Sequence, residues 1–144
     1  MPHAEANSWP LLVLGGSSET HNSNKAAFQE FDALPLFSPY AKLALRPPYP
    51  HMIPKFIDDA YRAAIFGRPG ASFVDLPANL IMGHFDVDPL RLTPYTEIPV
   101  SVAPERKIKD IVDAFKNAKA PLVVIGKGAA YARAEKEINA LINK

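Results

Sequence analysis

The sequence of 144 residues contains no cysteine, only one tryptophan and no long apolar run. Without thiols the chain has no disulfides, no thiolate metal ligands and no cysteine nucleophile, which is typical of an intracellular protein. Its longest strongly apolar stretch, Pro10 to Leu14, is far shorter than the ~20 residues of a membrane helix, and no secretory signal pattern precedes it. We therefore expect a soluble intracellular protein with no membrane partner.

The sequence also has no excess of charge of one sign, because 16 Lys and Arg residues are matched by 15 Asp and Glu residues. Proteins that bind nucleic acids usually carry basic clusters, so we expect no nucleic-acid partner. The four histidines lie too far apart for the ligand spacing of a metal-binding helix, which predicts ordinary surface histidines and no metal site. They are His3, His21, His51 and His84.

Short apolar runs alternate with stretches of helical periodicity, which predicts an α/β fold with a parallel sheet. The predicted strands cover residues 11–14 and 71–76, and the predicted helices cover residues 26–31 and 53–66. The first strand is expected to end in a tight loop at Gly15-Gly16, and the second at Pro77, which lacks a backbone donor. A proline-containing run, 34–40, closes the first helix, and Gly67 takes the usual glycine position after the second.

Proline recurs at every fifth position from Pro89 to Pro104 without helical or strand periodicity, as in a semi-extended linker. We therefore predict a domain at 1–83, a linker at 84–103 and the beginning of a second domain at 104–144. The second domain is predicted to open with a helix that has Pro104 at its first position. A strand at 121–125, a glycine turn and a helix at 130–143 follow, as in an incomplete Rossmann-like domain. We expect the chain to be a segment of a longer protein.

Three glycine-framed turns are candidate ligand sites, and each also has an ordinary structural interpretation. At Gly126-Lys127-Gly128 the amides and the lysine ammonium can meet a phosphate before a helix, or the residues form a plain turn. Arg68 lies at a helix end, where a guanidinium caps carbonyls or clamps a phosphate. Gly15-Gly16 can present amides to an anion but is more often a sharp turn.

Four stretches of the sequence together resemble one enzyme family. They are Asn7 to Glu19 (NSWPLLVLGGSSE), Ala27 to Phe31 (AFQEF), Gly67 to Gly70 (GRPG) with Val74 to Ala78 (VDLPA), and Ile125 to Ala132 (IGKGAAYA). In order and spacing they resemble the 2-hydroxyacyl-CoA lyases, which belong with the oxalyl-CoA decarboxylases and, more distantly, the acetolactate synthases among the thiamine-diphosphate enzymes. The GRPG and DLP motifs are shared across this superfamily, whereas GKGAAY is typical of the branch that uses CoA.

This resemblance implies a fold and a set of cofactors. Residues 1–83 correspond to the C-terminal half of a pyrimidine-binding domain, and residues 104–144 to the beginning of a Rossmann-like central domain. Members of the family require thiamine diphosphate and Mg²⁺ and are homo-oligomers, located in the peroxisome or the cytoplasm. Their cofactor-activating glutamate precedes the region matched here and their Mg²⁺–diphosphate motif follows it, so this chain alone is expected to be inactive.

The resemblance also assigns site residues. From the residues alone, Phe28 and Gln29 are a core aromatic side chain and an exposed amide. The family pattern implies instead that both border the thiamine and the substrate, where Phe-Gln is typical of the lyases and Tyr-Glu of the decarboxylases. It further implies that Arg68 and Lys127 hold an ADP moiety together, one from each side of the linker.

The implied reaction is cleavage of a 2-hydroxyacyl-CoA substrate into formyl-CoA and an aldehyde, with the thiamine ring accepting the electrons of the broken bond. Two alternatives stay open. The chain can belong to an oxalyl-CoA decarboxylase, which releases formyl-CoA and CO₂. It can also be a catalytically silent, truncated product that binds a nucleotide or pairs with a full-length relative.

Overall fold

A computed structural model describes residues 1–86 and 97–143 of the chain. The chain forms two compact units, Met1–Val100 and Ser101–Lys144. Half of the predicted linker, including Pro89 and Pro94, lies outside the described residues. The domain limits at 83 and 104 therefore stay predictions.

The first unit is a three-stranded parallel sheet with short helices around it. Its helices are α1 (Pro2–Ala6), α2 (Ala33–Phe37), α3 (Ile53–Ile65) and α4 (Ala78–Ile81), and its strands are β1 (Leu11–Ser17), β2 (Leu43–Leu45) and β3 (Ala71–Pro77). Single 3₁₀ turns occur at Thr20–Asn22, Ser38–Tyr40 and Pro50–Met52. The strand order is β1-β3-β2, and both pairings are parallel. The predicted α/β class with a parallel sheet is confirmed.

The core of this unit lies around the central strand β3. Its first five residues, 71–75, are all buried, as expected for a strand with neighbours on both edges and a helix across one face. Helix α3 packs against β3 and places Ala60 and Ala64 in the core, where small side chains allow helix and sheet to approach closely. Gly67 follows α3 with a φ of +63°, the left-handed conformation predicted for it.

The glycine pair of the first strand is part of the strand rather than the tight loop we predicted. β1 continues through Gly15 and Gly16 to Ser17, and Gly15 pairs with Asp75 of β3. A Cβ atom on Gly15 would lie 2.8 Å from the ring of Phe73, so glycine makes room for this aromatic side chain. Packing against Phe73 therefore explains Gly15, whereas a side chain on Gly16 would contact nothing within 4 Å.

The helix predicted at 26–31 is wrong. Asn24, Ala26 and Gln29 have φ values of 65°, 52° and 59°, which no α-helix contains. The Glu30 side chain instead accepts backbone N–H groups of this stretch, and such side-chain bonds compete with helix formation. The proline-containing run at 34–40, predicted to close that helix, itself contains most of α2 and a 3₁₀ turn.

The second unit contains three helices among its described residues 101–143, namely α5 (Glu105–Asn117), α6 (Lys127–Tyr131) and α7 (Glu135–Ile142). The helix expected after the linker is confirmed as α5, although Pro104 is its N-cap residue and not its first helical residue. The helix predicted at 130–143 is interrupted at Arg133, whose φ is 51°.

The strand predicted at 121–125 does not form. A strand needs a neighbouring strand to satisfy its backbone groups, and no other strand occurs within 101–143. The side chains of Leu122 and Val124 are accordingly exposed. No helix in the described parts of the chain is long and apolar enough to span a membrane.

A buried hydroxyl in the central strand β3 gives a testable prediction about the stability of the first unit. Ser72 is fully buried, and its Oγ has no hydrogen-bond partner among the described residues. A buried hydroxyl without a partner costs about 1–3 kcal/mol, so Ser72→Ala is expected to raise the free energy of unfolding by about 1 kcal/mol. Urea unfolding followed by the fluorescence of Trp9, the single tryptophan of the chain, measures this change.

The matched control is Ser38→Ala, because the Ser38 hydroxyl is exposed and donates a 2.7 Å hydrogen bond to the carbonyl oxygen of Leu34. This variant is expected to be neutral or slightly less stable. A loss of stability in Ser72→Ala would contradict the assignment of Ser72 Oγ as an unpaired group.

Candidate functional site

The first unit has a polar cleft where its three parallel strands end. Ser17 ends β1, Pro77 ends β3 and Arg46 directly follows β2, and all three line a cleft of about 220 Å³. The other lining residues belong to the segment between β1 and α2, residues 18–32, called the 18–32 loop below; they are Ser18, Thr20, Ser23, Asn24, Glu30, Phe31 and Asp32. Ligands of open α/β sheets bind outside the carboxyl ends of the strands. This edge is therefore the candidate site of the first unit.

The carboxylate of Glu30 organises the interior of the 18–32 loop. It accepts hydrogen bonds from the backbone N–H groups of Lys25 (3.1 Å), Ala27 (3.0 Å) and Asn24. These bonds, with that from Ala27 the strongest, lower the pKa of Glu30 below its ordinary value, because they favour the charged form. The loop is thus built around an ionised carboxylate in place of a helix.

The start of the loop is attached to α4. Asn79 of α4 accepts a hydrogen bond from the backbone N–H of Thr20 (2.9 Å) and donates one to the Thr20 hydroxyl (3.0 Å). Within the loop, the N–H of Ser18 donates to the carbonyl oxygen of Gln29 at 3.3 Å. These contacts bring residues 18 and 29 together and fix the position of the chain between them.

The end of the loop is attached to the sheet by a guanidinium between two carboxylates. Arg46 Nε donates to Asp75 Oδ2 at 2.5 Å, and Arg46 Nη2 donates to Asp32 Oδ1 at 3.1 Å. Asp75 lies in β3 and is only 1% exposed, so its charge requires a cation beside it. The sequence alone indicated no site role for Arg46 or Asp75, although a carboxylate within a buried strand is itself a signal that a basic partner lies nearby.

The structure places Phe28 and Gln29 at the exposed part of the 18–32 loop. Phe28 is 88% exposed, so the interpretation of this residue as a core aromatic is wrong. Gln29 is exposed, as expected of a surface amide, but has a left-handed backbone. Both belong to the loop that forms one wall of the cleft, although neither side chain lines the cleft itself.

Arg68 lies at the opposite edge of the sheet, where the strands begin. Its Nε donates to the Ser8 hydroxyl at 2.7 Å, and it lines a shallow cleft of about 160 Å³ with Glu5, Lys42, Pro69 and Gly70. Gly70 precedes β3, and its carbonyl oxygen accepts the N–H of Leu11, the first residue of β1. Arg68 and the Phe28–Gln29 pair are therefore at different ends of the strands.

Lys42 provides the capping contacts that we considered for Arg68. Its ammonium donates to the carbonyl oxygens of Phe66 (2.6 Å) and Arg68 (2.9 Å), directly after the end of α3. Burial lowers the pKa of Lys42, since removal from water disfavours the charged form. This contact was not expected from the sequence, because Lys42 is 24 positions away from Phe66.

Lys127 is the first residue of α6, and Gly126 is the N-cap. The glycine turn that we predicted before a helix is thus present, although no strand precedes it. Lys127 and Arg68 belong to different units of the chain, so the ADP site that they were expected to share stays a prediction.

Comparisons with known proteins show which proteins the sequence resembles. No protein-family profile matches the sequence. The whole chain is 40% identical over 145 residues to human 2-hydroxyacyl-CoA lyase 1, of which it covers 25%. It is 28% identical over 148 residues to oxalyl-CoA decarboxylase of Escherichia coli (strain K12), with 99% of the chain and 26% of that protein covered. A probable acetolactate synthase large subunit of Methanococcus aeolicus is 30% identical over 143 residues, with 96% of the chain and 24% of that protein covered.

These matches show that the chain is similar in sequence to proteins of the 2-hydroxyacyl-CoA lyase and oxalyl-CoA decarboxylase family, and the resemblance predicted from its motifs is confirmed. The chain spans about a quarter of the length of the curated relatives it matches.

Proposed function

We propose that this chain is a segment of a thiamine-diphosphate-dependent 2-hydroxyacyl-CoA lyase, which cleaves a 2-hydroxyacyl-CoA into formyl-CoA and an aldehyde. The observation that carries the proposal is the 40% identity of the whole chain to human 2-hydroxyacyl-CoA lyase 1, against 28% to the Escherichia coli oxalyl-CoA decarboxylase. In this proposal residues 1–83 belong to the pyrimidine-binding domain and residues 104–144 to the central domain. The complete enzyme is a homo-oligomer of the peroxisome or the cytoplasm.

The same proposal gives Phe28 and Gln29 a role at the thiamine and the acyl-CoA substrate. The Phe28 side chain is 88% exposed, so covering it with another apolar surface would lower the free energy of the complex. Beside it, the Gln29 amide offers both a donor and an acceptor to a bound group. The Phe-Gln pair at these positions also favours the lyase over the decarboxylase.

The residues of this chain do not fit the whole cofactor. Within residues 1–86 and 97–143, no group of three or more His, Cys, Asp or Glu side chains could hold a metal ion. Mg²⁺ is usually held by one or two carboxylates together with the phosphates of its ligand, and the resemblance places the motif that would hold the metal and the diphosphate after the region matched here. This chain therefore contributes a wall of the proposed site, and no chemical step of the cofactor is assigned to it.

Replacement of Gln29 by alanine tests the proposed role of the loop. In the complete lyase, Gln29→Ala is expected to lower turnover of a 2-hydroxyacyl-CoA about three- to tenfold, which corresponds to one lost hydrogen bond. Its melting temperature should be unchanged, because the amide is exposed and supports no core. Formyl-CoA release, measured by chromatography, gives the rate.

Asn117→Ala serves as the amide control, because Asn117 ends α5 and its exposed side chain donates a hydrogen bond to the carbonyl oxygen of Asp113 in the same helix (2.9 Å). If Gln29→Ala turned over substrate at the wild-type rate, Gln29 would be an ordinary surface residue.

If the complete enzyme converted oxalyl-CoA and no 2-hydroxyacyl-CoA, the proposed activity would be that of the decarboxylase and not that of the lyase.

A second variant tests the proposed nucleotide contact of Arg68. A charge-assisted hydrogen bond to phosphate contributes roughly 1.5–3 kcal/mol, so Arg68→Ala is expected to weaken ADP binding about ten- to a hundredfold. Arg68→Lys should restore little of the ADP affinity, because lysine keeps the charge but cannot donate two parallel hydrogen bonds to a phosphate. Isothermal titration of ADP into the complete enzyme measures the affinity, with Arg106→Ala on α5 as the charge-matched control. Equal ADP affinities for Arg68→Ala and wild type would restrict Arg68 to its contact with Ser8.

A further inference from the structure

We propose that Arg46 is a positioning residue, which holds the 18–32 loop and its exposed Phe28–Gln29 pair in place by joining Asp32 to the buried Asp75. The significance of the loop rests on the proposed function, whereas the attachment itself is a property of this chain.

The geometry of Arg46 suits this role. Its backbone directly follows β2, so its position is set by the parallel pairing of β2 with β3. The guanidinium then reaches Asp75 through Nε and Asp32 through Nη2 at the same time. Only arginine offers several donors in one rigid plane, and a lysine ammonium at the same place could not match both carboxylates.

The loop needs such an attachment because its own side chains bury little. Residues 23–26 and 28–29 are all exposed, and Asn24, Ala26 and Gln29 have left-handed backbones that non-glycine residues rarely adopt. An unusual backbone persists only when surrounding contacts determine it. Here those contacts are polar: the Asn79–Thr20 bonds at the start, Glu30 inside, and the Arg46–Asp32 bond at the end.

The ion pair between Arg46 and Asp32 can be removed while Arg46 still neutralises Asp75. Asp75 is buried and needs the guanidinium beside it. The Asp32 side chain is 63% exposed and would be well solvated without a partner, so burial does not require its ion pair with Arg46. Asp32 is the last residue of the 18–32 loop and directly precedes α2, so its bond to Arg46 fixes the end of the loop.

Hydrogen exchange measured by NMR on the 144-residue chain tests the proposal without any cofactor or substrate. Asp32→Asn removes the charge that Arg46 binds in the loop. The amides of Ser18, Lys25 and Ala27 are expected to exchange about two- to fivefold faster, the effect of losing one exposed ion pair. The amide of Val74 in β3 should exchange at the wild-type rate. Arg46→Lys should give the same local change, because it keeps a cation beside Asp75.

The matched control is Asp59→Asn, which breaks the exposed pair between Asp59 and Lys55 on α3 and should leave the loop amides unchanged. If Asp32→Asn left the loop amides at wild-type rates, or accelerated the β3 amides equally, Arg46 would serve only to neutralise Asp75. Faster loop exchange together with a fully active Gln29→Ala enzyme would uphold the positioning and refute the proposed site. The two proposals therefore fail by different results.

Discussion

Arg46→Gln is expected to lower the free energy of unfolding of the first unit by about 3 kcal/mol, the cost of leaving a buried charge without its partner. The Asp75 carboxylate is 1% exposed and lies 2.5 Å from the Arg46 guanidinium. Glutamine supplies no positive charge, so the carboxylate must stay buried unpaired or take up a proton. For a unit of this size, the loss corresponds to a decrease in melting temperature of roughly 10–20 °C. Trp9 fluorescence reports the transition.

The double variant Arg46→Gln with Asp75→Asn is expected to recover most of this loss, because two neutral amides can share a hydrogen bond without a buried charge. Lys55→Gln is the control for charge removal at an exposed pair and should cost at most about 1 kcal/mol. Should Arg46→Gln destabilise the unit no more than Lys55→Gln does, the Asp75 carboxylate would not depend on Arg46.

The 144-residue chain, incubated alone with thiamine diphosphate, Mg²⁺ and a 2-hydroxyacyl-CoA, is expected to release no formyl-CoA. Catalysis in this family needs a proton-transfer carboxylate at the cofactor and a site for the metal–diphosphate. The resemblance assigns neither to the region matched here, and the described residues contain no group of three or more His, Cys, Asp or Glu side chains that could hold a metal ion. The expected effect is thus complete loss of the reaction relative to a full-length lyase.

Chromatographic detection of formyl-CoA checks this result, with human 2-hydroxyacyl-CoA lyase 1 as the positive control and a reaction without protein as the negative one. Release above the negative control would show that the chain holds a catalytic site of its own. Binding of ADP by the inactive chain would favour the alternative of a nucleotide-binding product.

Local sequence determined two strands and one helix of the first unit. The apolar runs at 11–14 and 71–76 predicted β1 and β3, and the periodicity of 53–66 predicted α3, because burial of one apolar face needs only the spacing of neighbouring residues. The left-handed Gly67 followed from its place after that helix. The order of the motifs was enough to indicate the resemblance that the sequence comparisons confirm, since it requires no knowledge of how the motifs meet in space.

Only the tertiary structure decided which residues form the candidate site. The 18–32 loop is held by Asn79, 59 positions from Thr20, and by Arg46, whose partner Asp75 is 29 positions away. No local pattern encodes such pairs, because parallel strands bring their carboxyl ends together only after the sheet has formed. The need for a partner from elsewhere in the fold also explains why no strand forms at 121–125. These residues favour a strand, but a strand forms only beside a neighbour that satisfies its backbone groups.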